Sequence, residues 1–334
     1  MEPNNKQIKN QELITKMTHL KTYRNCCLLA LVFLSVMSTA TAQQDPQYTQ
    51  YMYNTQVVNP AYAGNREVLS FGLLGRTQWA SLKGSPETGT FTVNSPIGLY
   101  DNMGLGLSIV YDRIGPAMES NVVIDYSYSL NLSFDTKLSF GLKAGLDMLD
   151  VDYSKLNIFD PNDPHFQTNV DNELQPQIGA GLYLNTDRFY AGLSVPNFLN
   201  TRHFDESSLE NGNTDDIAIE RLHYFFIIGY VFDLNENLKF KPATLFKYVS
   251  GSPLQWDMSA NFLINEKFTL GASYRWSASV SALAGFQISP GFFAGVAYDY
   301  QSTDIEQYSD GSYEVFLRFD IFNKSDRIVT PRFF

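Results

Sequence analysis

The sequence predicts an all-β protein: a transmembrane antiparallel up-and-down β-barrel of about 14 strands with an N-terminal periplasmic or plug segment. Three observations support this: a secretory leader, segments in which apolar and polar residues alternate, and connections that are alternately short and long. Alternation with a period of two places successive side chains on opposite faces of a strand. Short turns at one end and long loops at the other are typical of outer-membrane barrels.

The first 42 residues predict a cleaved signal peptide. Basic residues up to Arg24 precede an apolar run over 26–37, and small residues end at Ala42. This is the pattern of a secretory leader, and the run is shorter than the roughly 20 apolar residues of a membrane helix. The predicted organisation is a signal peptide over 1–42, an N-terminal periplasmic or plug segment over 43–66, a barrel over 67–322 and a periplasmic C-terminal tail over 323–334.

The predicted mature chain is acidic and lacks cysteine. Cys26 and Cys27, the two cysteines of the sequence, both lie in the leader, so disulfides and thiol chemistry are not expected. Removing the leader takes five of the 24 basic and two of the 35 acidic residues, which leaves a net charge of −14. Such acidity argues against nucleic acid as a partner.

The alternation is clearest in KLSFGLKAGLDM, residues 137–148. Its even-numbered positions are apolar, and its odd-numbered positions are polar, charged or glycine. Glycines on such a face are expected to relieve crowding or to allow a curved sheet to bend. Similar runs, separated by turn residues, predict strands near 68–79, 87–95, 103–112, 120–133, 137–151, 175–185, 188–195, 221–233, 238–249, 254–264, 268–276, 279–288, 292–300 and 312–321.

The connections support a membrane barrel over a soluble sandwich or jelly roll, in which the apolar face would turn inward. Short turns such as FDTK and LNEN follow even-numbered strands, whereas long loops, including 153–174 and 196–220, follow odd-numbered ones. An even strand number places both termini on the short-turn, periplasmic side. Aromatic residues at strand ends predict the interfacial girdles of a barrel; they include Tyr100, Tyr111, Phe134, Phe159, Trp256 and Trp276.

The segment 43–67, QQDPQYTQYMYNTQVVNPAYAGNRE, combines tyrosine, glutamine and asparagine with little charge. Side chains fill the interior of an eight-stranded barrel, whereas sixteen to eighteen strands leave an aqueous channel. The interior of a fourteen-stranded barrel is intermediate in size. We expect this segment to be either a plug in the lumen or a docking strip for a periplasmic partner. For the tail NKSDRIVTPRFF, docking and a frayed terminus both remain open.

Four short motifs resemble the PorP/SprF family of outer-membrane proteins associated with the type IX secretion system of gliding and adhesin-exporting bacteria. They are D-P-Q-Y-T-Q-Y-M-Y-N at 45–54, N-P-A-Y-A-G at 59–64, R-x-Q-W at 76–79 and T-P-R-F-F at 330–334. The resemblance implies a non-enzymatic barrel in the outer membrane that couples a secreted surface protein or the periplasmic machinery to that membrane.

The same resemblance implies partners: components of the periplasmic ring or translocon, a large secreted surface adhesin, and outer-membrane lipid. The matching positions are the candidates for partner binding: Asp45, Pro46, Gln50, Tyr51, Asn54, Asn59, Pro60, Gly64, Pro331, Arg332, Phe333 and Phe334.

No motif predicts a catalytic, metal or cofactor site. His165 and His203 lie in predicted loops, His223 alternates toward the lumen, and no metal-binding spacing or G-x-S-x-G is present. DPNDPH, residues 160–165, lacks the glycine and glutamate spacing of a calcium loop. The charges predicted to face the lumen are expected to pair across the wall; they are Asp125, Lys143, Asp147, Glu314, Arg318 and Asp320.

Two other functions remain open at this stage. A transporter of long-chain fatty acids also combines fourteen strands with an N-terminal plug, and it predicts a continuous apolar channel with a lateral opening. A barrel hydrolase predicts a Ser/His/carboxylate cluster near the outer rim. In the secretion role, the loops 153–174 and 196–220 are expected to determine cargo choice.

Overall fold

The computed structural model describes residues 46–98, 102–156, 169–199 and 222–322. Consecutive strands pair antiparallel, and the last strand pairs with the first, which closes the barrel. The strands are β1 Leu69–Thr77, β2 Glu87–Ile97, β3 Met103–Ile114, β4 Ala117–Asn131, β5 Lys137–Val151, β6 Val170–Asn185, β7 Phe189–Val195, β8 His223–Tyr230, β9 Phe232–Asn235, β10 Leu238–Val249, β11 Gln255–Ile264, β12 Phe268–Arg275, β13 Ser279–Ser289, β14 Phe292–Gln301 and β15 Ser312–Ile321.

Fourteen strands form the wall, because β8 and β9 are two parts of one barrel strand. Both pair with β10, and the pairing is interrupted where Lys241 and Pro242 lie. Proline has no N–H to donate, so the ladder lacks a hydrogen bond at this position. The amide of Val231, between β8 and β9, donates to Arg188 O at 2.7 Å. The predicted number of strands is therefore confirmed.

The outward face of the wall is apolar and the inward face polar, the reverse of a soluble sandwich. Leu142 and Ile124 point outward and are 63% and 56% exposed, whereas Lys143 and Asp125 point inward and are 2% and 0% exposed. The closed antiparallel barrel confirms the predicted fold class, since it pairs the wall internally and leaves the lipid-facing side apolar.

Aromatic side chains cluster on the outward face near both ends of the strands. Toward the long loops, Trp256 stacks on Phe246 and Trp276 with ring centroids 5.5 and 5.8 Å apart. Toward the short turns, Phe240 stacks on Phe262 at 4.8 Å. Such bands suit the two membrane–water interfaces. Of the residues predicted for these bands, Tyr100 and Phe159 lie outside the described part of the chain.

Helical structure is scarce. The described residues contain one four-residue helix, α1 Thr55–Val58, and short 3₁₀ turns, of which Pro60–Tyr62 is one. Within this part of the chain, no helix has the length and apolarity needed to cross a membrane. Within the described part of the chain, the barrel unit comprises 46–98, 102–156, 169–199, 222–250 and 254–322, and Gly251–Pro253 belong to a separate unit that includes a turn.

Candidate functional site

Residues 46–66, called the inner segment below, lie in the lumen of the barrel. The side chains of Tyr51, Met52 and Ala61 are almost inaccessible, with 2%, 1% and 0% of their surface exposed. Pro46 lines a cleft with Asp112 and Glu119, which lie near the long-loop ends of β3 and β4. From there the inner segment runs toward the short-turn end, where β1 begins.

Near the long-loop end, one buried arginine joins the inner segment to the seam of the barrel. Arg76 on β1 lies 2.6 Å from Asp299 on β14 and 3.1 Å from Glu314 on β15, and the three side chains are at most 1% exposed. Arg76 also donates to Thr49 Oγ1 at 3.0 Å, and Thr49 Oγ1 donates to Asp299 at 2.7 Å. We call these four residues the seam cluster.

Glu314 receives the backbone of the inner segment as well. The amides of Thr49 and Gln50 donate to its two oxygens at 2.9 and 2.8 Å. Hydrogen bonds to an ionised carboxylate are the stronger kind, and in a buried site they are not replaced by water. The seam cluster therefore holds the first turn of the inner segment against the strands that close the barrel.

Halfway along the lumen, Gln56 on α1 bonds to three strands. Its amide nitrogen donates to Ser108 Oγ at 3.1 Å and to Asp125 Oδ2 at 3.2 Å, and its oxygen accepts from Asn94 Nδ2 at 2.8 Å. Lys143, expected to pair across the wall, lies 3.7 Å from Asp125. Its ammonium also donates to Val57 O at 2.5 Å.

Burial affects the ionisation of one tyrosine of the inner segment. Tyr51 lies within hydrogen-bond distance of Ser259 Oγ on β11, at 3.1 Å. Burial raises the pKa of the Tyr51 phenol above its usual value. The hydroxyl therefore stays protonated at alkaline pH values at which an exposed phenol would ionise.

A hydrogen bond at the end of α1 can be tested by a single substitution. Val58 O accepts from Ser194 Oγ on β7 at 2.7 Å, and Ser194 is 3% exposed. Replacing Ser194 by alanine removes the hydroxyl that donates to the buried Val58 carbonyl. We therefore expect a loss of about 1–2 kcal/mol in the free energy of unfolding. Denaturant unfolding of the purified barrel measures it. Ser133→Ala, in an exposed turn, serves as the control and should change stability by less than about 0.5 kcal/mol.

The N-P-A-Y-A-G stretch approaches the wall where the wall lacks side chains. A Cβ atom on Gly141 of β5 would lie 2.1 Å from Ala61 N, and one on Gly104 of β3 would lie 2.1 Å from Ala63 O. Asn59 folds this turn, since its Oδ1 accepts from Ala61 N at 3.0 Å and its Nδ2 donates to Leu182 O at 3.0 Å. Backbone therefore packs directly on backbone.

Gly64 ends that turn in a conformation that favours glycine. Its φ of 72° lies in the left-handed region, and a Cβ there would meet Gly104 Cα at 2.7 Å. Its amide donates to Asn94 Oδ1 at 3.2 Å. At the short-turn end, Arg66 forms two hydrogen bonds with Asp320, at 3.2 and 2.9 Å.

The predicted partner-binding residues are mostly turned toward the wall. Gln50, Tyr51, Asn54 and Asn59 are 1–3% exposed, and Pro60 and Gly64 belong to the turn packed on the wall glycines. Pro46 lines the cleft at the long-loop end. Asp45 and residues 331–334 lie outside the described part of the chain, so the role of all these positions in partner binding stays a prediction.

Sequence reasoning missed several residues that position the inner segment, notably Thr49, Gln56 and Arg66. The charges predicted to face the lumen did indicate part of the site. Lys143 lies close to Asp125, Arg318 lies close to Asp320, and Glu314 pairs with Arg76. In the described ranges, no group of three or more His, Cys, Asp or Glu side chains is arranged to hold a metal ion.

Solved outer-membrane barrels resemble the fold at low sequence identity. The CymD monoaromatic hydrocarbon channel is 10% identical with a TM-score of 0.48, and the match covers 86% of this chain and 95% of that chain. A Pseudomonas aeruginosa FadL homologue is 12% identical with a TM-score of 0.43, covering 85% and 96%. Omp33 of Acinetobacter baumannii is 10% identical with a TM-score of 0.39, covering 76% and 99%. These likenesses carry no argument about function.

The comparison with protein families identifies the family of this chain, whereas the comparison with curated proteins does not. No curated protein matches the chain. The family described as "Type IX secretion system membrane protein PorP/SprF" matches residues 40–319, which is most of the sequence and includes the inner segment and nearly all of the barrel. The chain belongs to the PorP/SprF family of type IX secretion system membrane proteins.

Proposed function

We propose that this protein is a non-enzymatic component or accessory of the type IX secretion system that couples a secreted surface protein or the periplasmic machinery to the outer membrane. In this proposal its own lumen stays closed and conducts no cargo. One observation supports the closed lumen most directly: the inner segment is bonded to the wall along its length. Its contacts extend from Thr49 at the seam cluster, through Gln56, to Arg66 beside Asp320.

A polypeptide in transit would have to displace this segment. That would break the charged hydrogen bonds of the seam cluster and the backbone packing at Gly104 and Gly141. It would also separate Arg66 of the inner segment from Asp320 of the wall, and breaking a buried ion pair costs about 3–5 kcal/mol when one partner is left behind. Cargo and machinery are therefore proposed to contact the ends of the barrel.

The two ends are proposed to have different partners. In outer-membrane barrels the long loops face the outside and the short turns face the periplasm. We assign cargo choice to the long loops that follow β5 and β7, and contact with the periplasmic machinery to the short-turn end and the tail 323–334. Within the described part of the chain, no specific observation favours the fatty-acid transporter, which requires a continuous apolar channel.

An affinity pull-down tests the coupling role. The tagged protein is purified from detergent-solubilised outer membranes, and its companions are identified by mass spectrometry against an unrelated tagged barrel. We expect components of the periplasmic ring or translocon, or one large surface adhesin. A barrel recovered alone, with lipid or fatty acid bound, would contradict the proposal and favour the transporter.

Conductance in planar bilayers tests the closed lumen separately. We expect the intact protein to conduct almost no current and a variant lacking residues 46–64 to conduct steadily, because the deletion removes the side chains that fill the lumen. Deleting the tail 323–334, which follows the last strand, is the control and should leave the bilayer sealed. Equal conductance of the intact and the 46–64-deleted proteins would argue against the inner segment as the closure.

A further inference from the structure

The strand pairing that closes the barrel joins the two ends of the described sheet. β1 pairs with β15 from Leu69 opposite Ile321 to Thr77 opposite Tyr313. Counting β8 and β9 as one strand, the other neighbouring strands of this sheet follow one another along the chain. A hairpin turn fixes the register of such neighbours, and bringing distant strands together costs loop-closure entropy. The register between β1 and β15 is therefore set by contacts other than a turn.

The alternation of side chains does not by itself exclude a slipped pairing of β1 with β15. A slip of two residues keeps every side chain on its own face of the wall, because the strand period is two. Such a slip would bring Leu74 opposite Glu314 in one direction and opposite Arg318 in the other. Burying a charged side chain against an apolar one is costly. The inward face of β15 can therefore report the register through its charges.

Two polar pairs form in the observed register. Arg76 lies opposite Glu314, with an ion pair of 3.1 Å, and Ser70 lies opposite Asp320, to which its Oγ donates at 2.7 Å. Both carboxylates are buried. We call Glu314 and Asp320 the register carboxylates, because a slip of two residues would separate each of them from its partner on β1.

The inner segment is bonded to both register carboxylates. The amides of Thr49 and Gln50 donate to Glu314 at 2.9 and 2.8 Å. At the other end of the inner segment, Arg66 donates to Asp320 at 2.9 Å. Hydrogen bonds to an ionised carboxylate are the stronger kind. Each register carboxylate therefore joins three parts of the protein, namely β15, β1 and the inner segment.

An aromatic contact joins the inner segment to the same strands between these two levels. The ring of Tyr53 stacks on that of Phe316 on β15, with centroids 5.5 Å apart and an interplanar angle of 12°. It also meets Phe293 on β14 at 5.1 Å. Rings at these separations attract one another beyond the effect of their burial. The inner segment thus follows the closing strands at three levels of the lumen.

We propose that the inner segment is a template for closing the barrel, and that it selects the register in which β15 pairs with β1. The inner segment ends just before Leu69, so it and β1 form one local unit for β15 to join. Its bonds to both register carboxylates form together only when these lie opposite Arg76 and Ser70. This role goes beyond filling the lumen, which requires no particular register. Without the inner segment the barrel can still close, but in more than one register.

Disulfide cross-linking in isolated outer membranes measures the register. Leu73→Cys with Leu317→Cys places the two thiols on directly opposite residues, whereas Leu73→Cys with Val315→Cys or Phe319→Cys is shifted by two residues. Opposite residues suit the geometry of a disulfide, and shifted ones lie too far apart. The chain after Gln43 contains no cysteine of its own. We expect the opposite pair to cross-link about tenfold or more above either shifted pair.

Removing residues 46–66 is expected to bring the opposite and shifted pairs to within about twofold of each other, because alternation alone then guides the pairing. Gln56→Met is the control for a general loss of stability. Gln56 bonds to β2, β3 and β4, outside the pairing of β1 with β15. Its loss should therefore lower stability and leave the ratio of opposite to shifted cross-linking unchanged.

A second experiment covers the case in which the protein lacking residues 46–66 does not assemble. Residues 1–66 are then co-expressed with it as a separate chain, and we expect the folded barrel to reappear with the opposite pair cross-linked. The proposal is overturned if the supplied segment restores nothing, or if removing residues 46–66 leaves the cross-linking ratio unchanged. It is also overturned if Gln56→Met lowers the ratio as far as the removal does. None of these outcomes depends on the secretion role.

Discussion

Replacing Arg76 by methionine is expected to lower the free energy of unfolding by about 3–5 kcal/mol, because two buried carboxylates lose their cation. Asp299 and Glu314 are 0% and 1% exposed, so water cannot take the place of the guanidinium. The substitution also removes a donor to Thr49 Oγ1. We therefore expect the first turn of the inner segment to detach from the seam before the barrel itself unfolds.

Two measurements separate these effects. Denaturant unfolding in detergent gives the stability change, and Arg113→Met is the control because Arg113 pairs with Glu87 at 2.8 Å where both side chains are 49% exposed. Such a surface pair contributes less than about 1 kcal/mol. The chain after Gln43 contains no cysteine, so Thr49→Cys reports detachment through maleimide labelling. Equal losses of stability for Arg76→Met and Arg113→Met, or a Thr49→Cys thiol that stays protected when combined with Arg76→Met, would contradict this role.

The wall of the barrel could be predicted closely from the sequence because strand alternation is a local property. The predicted strands over 137–151 and 312–321 have the same bounds as β5 and β15. The predicted and observed strand bounds differ where strand pairing extends beyond the local sequence pattern. β6 begins at Val170 rather than near 175, because Val170 pairs with Val151 across a register shift. The break at Val231 was also missed, since it depends on Pro242 in the neighbouring strand.

The lumen could be predicted only in part, because its contacts join residues far apart in the chain. Composition indicated that the stretch 43–67 could fill a polar lumen, and the lumenal charges were expected to pair. No local pattern relates Thr49 to Asp299, which are 250 positions apart. The N-P-A-Y-A-G turn likewise depends on β3 and β5 presenting glycine at the level where Ala61 and Ala63 pass.

Replacing Gly141 by valine is expected to displace the N-P-A-Y-A-G turn while the barrel stays closed. The new Cβ would lie 2.1 Å from Ala61 N and 2.4 Å from Pro60 C, and backbone atoms at these distances cannot move aside by changing a rotamer. Overpacking of this kind costs about 1–3 kcal/mol or more. The pairing of β5 with β4 and β6 uses backbone groups and does not require glycine at 141. The strain is therefore relieved by moving the inner segment.

Labelling of Ala61→Cys with maleimide measures this displacement, since Ala61 is 0% exposed and the added thiol is small. We expect the thiol to be protected in the parent barrel and labelled when valine occupies position 141, with the heat-modifiable mobility of the folded barrel retained. Gly89→Val is the matched control, because a Cβ on Gly89 meets nothing within 4 Å. A thiol that stays protected in the Gly141→Val variant would mean that the wall moves and the inner segment does not. In that case the inner segment would be the more rigid of the two, and closure of the lumen would not depend on the wall glycines.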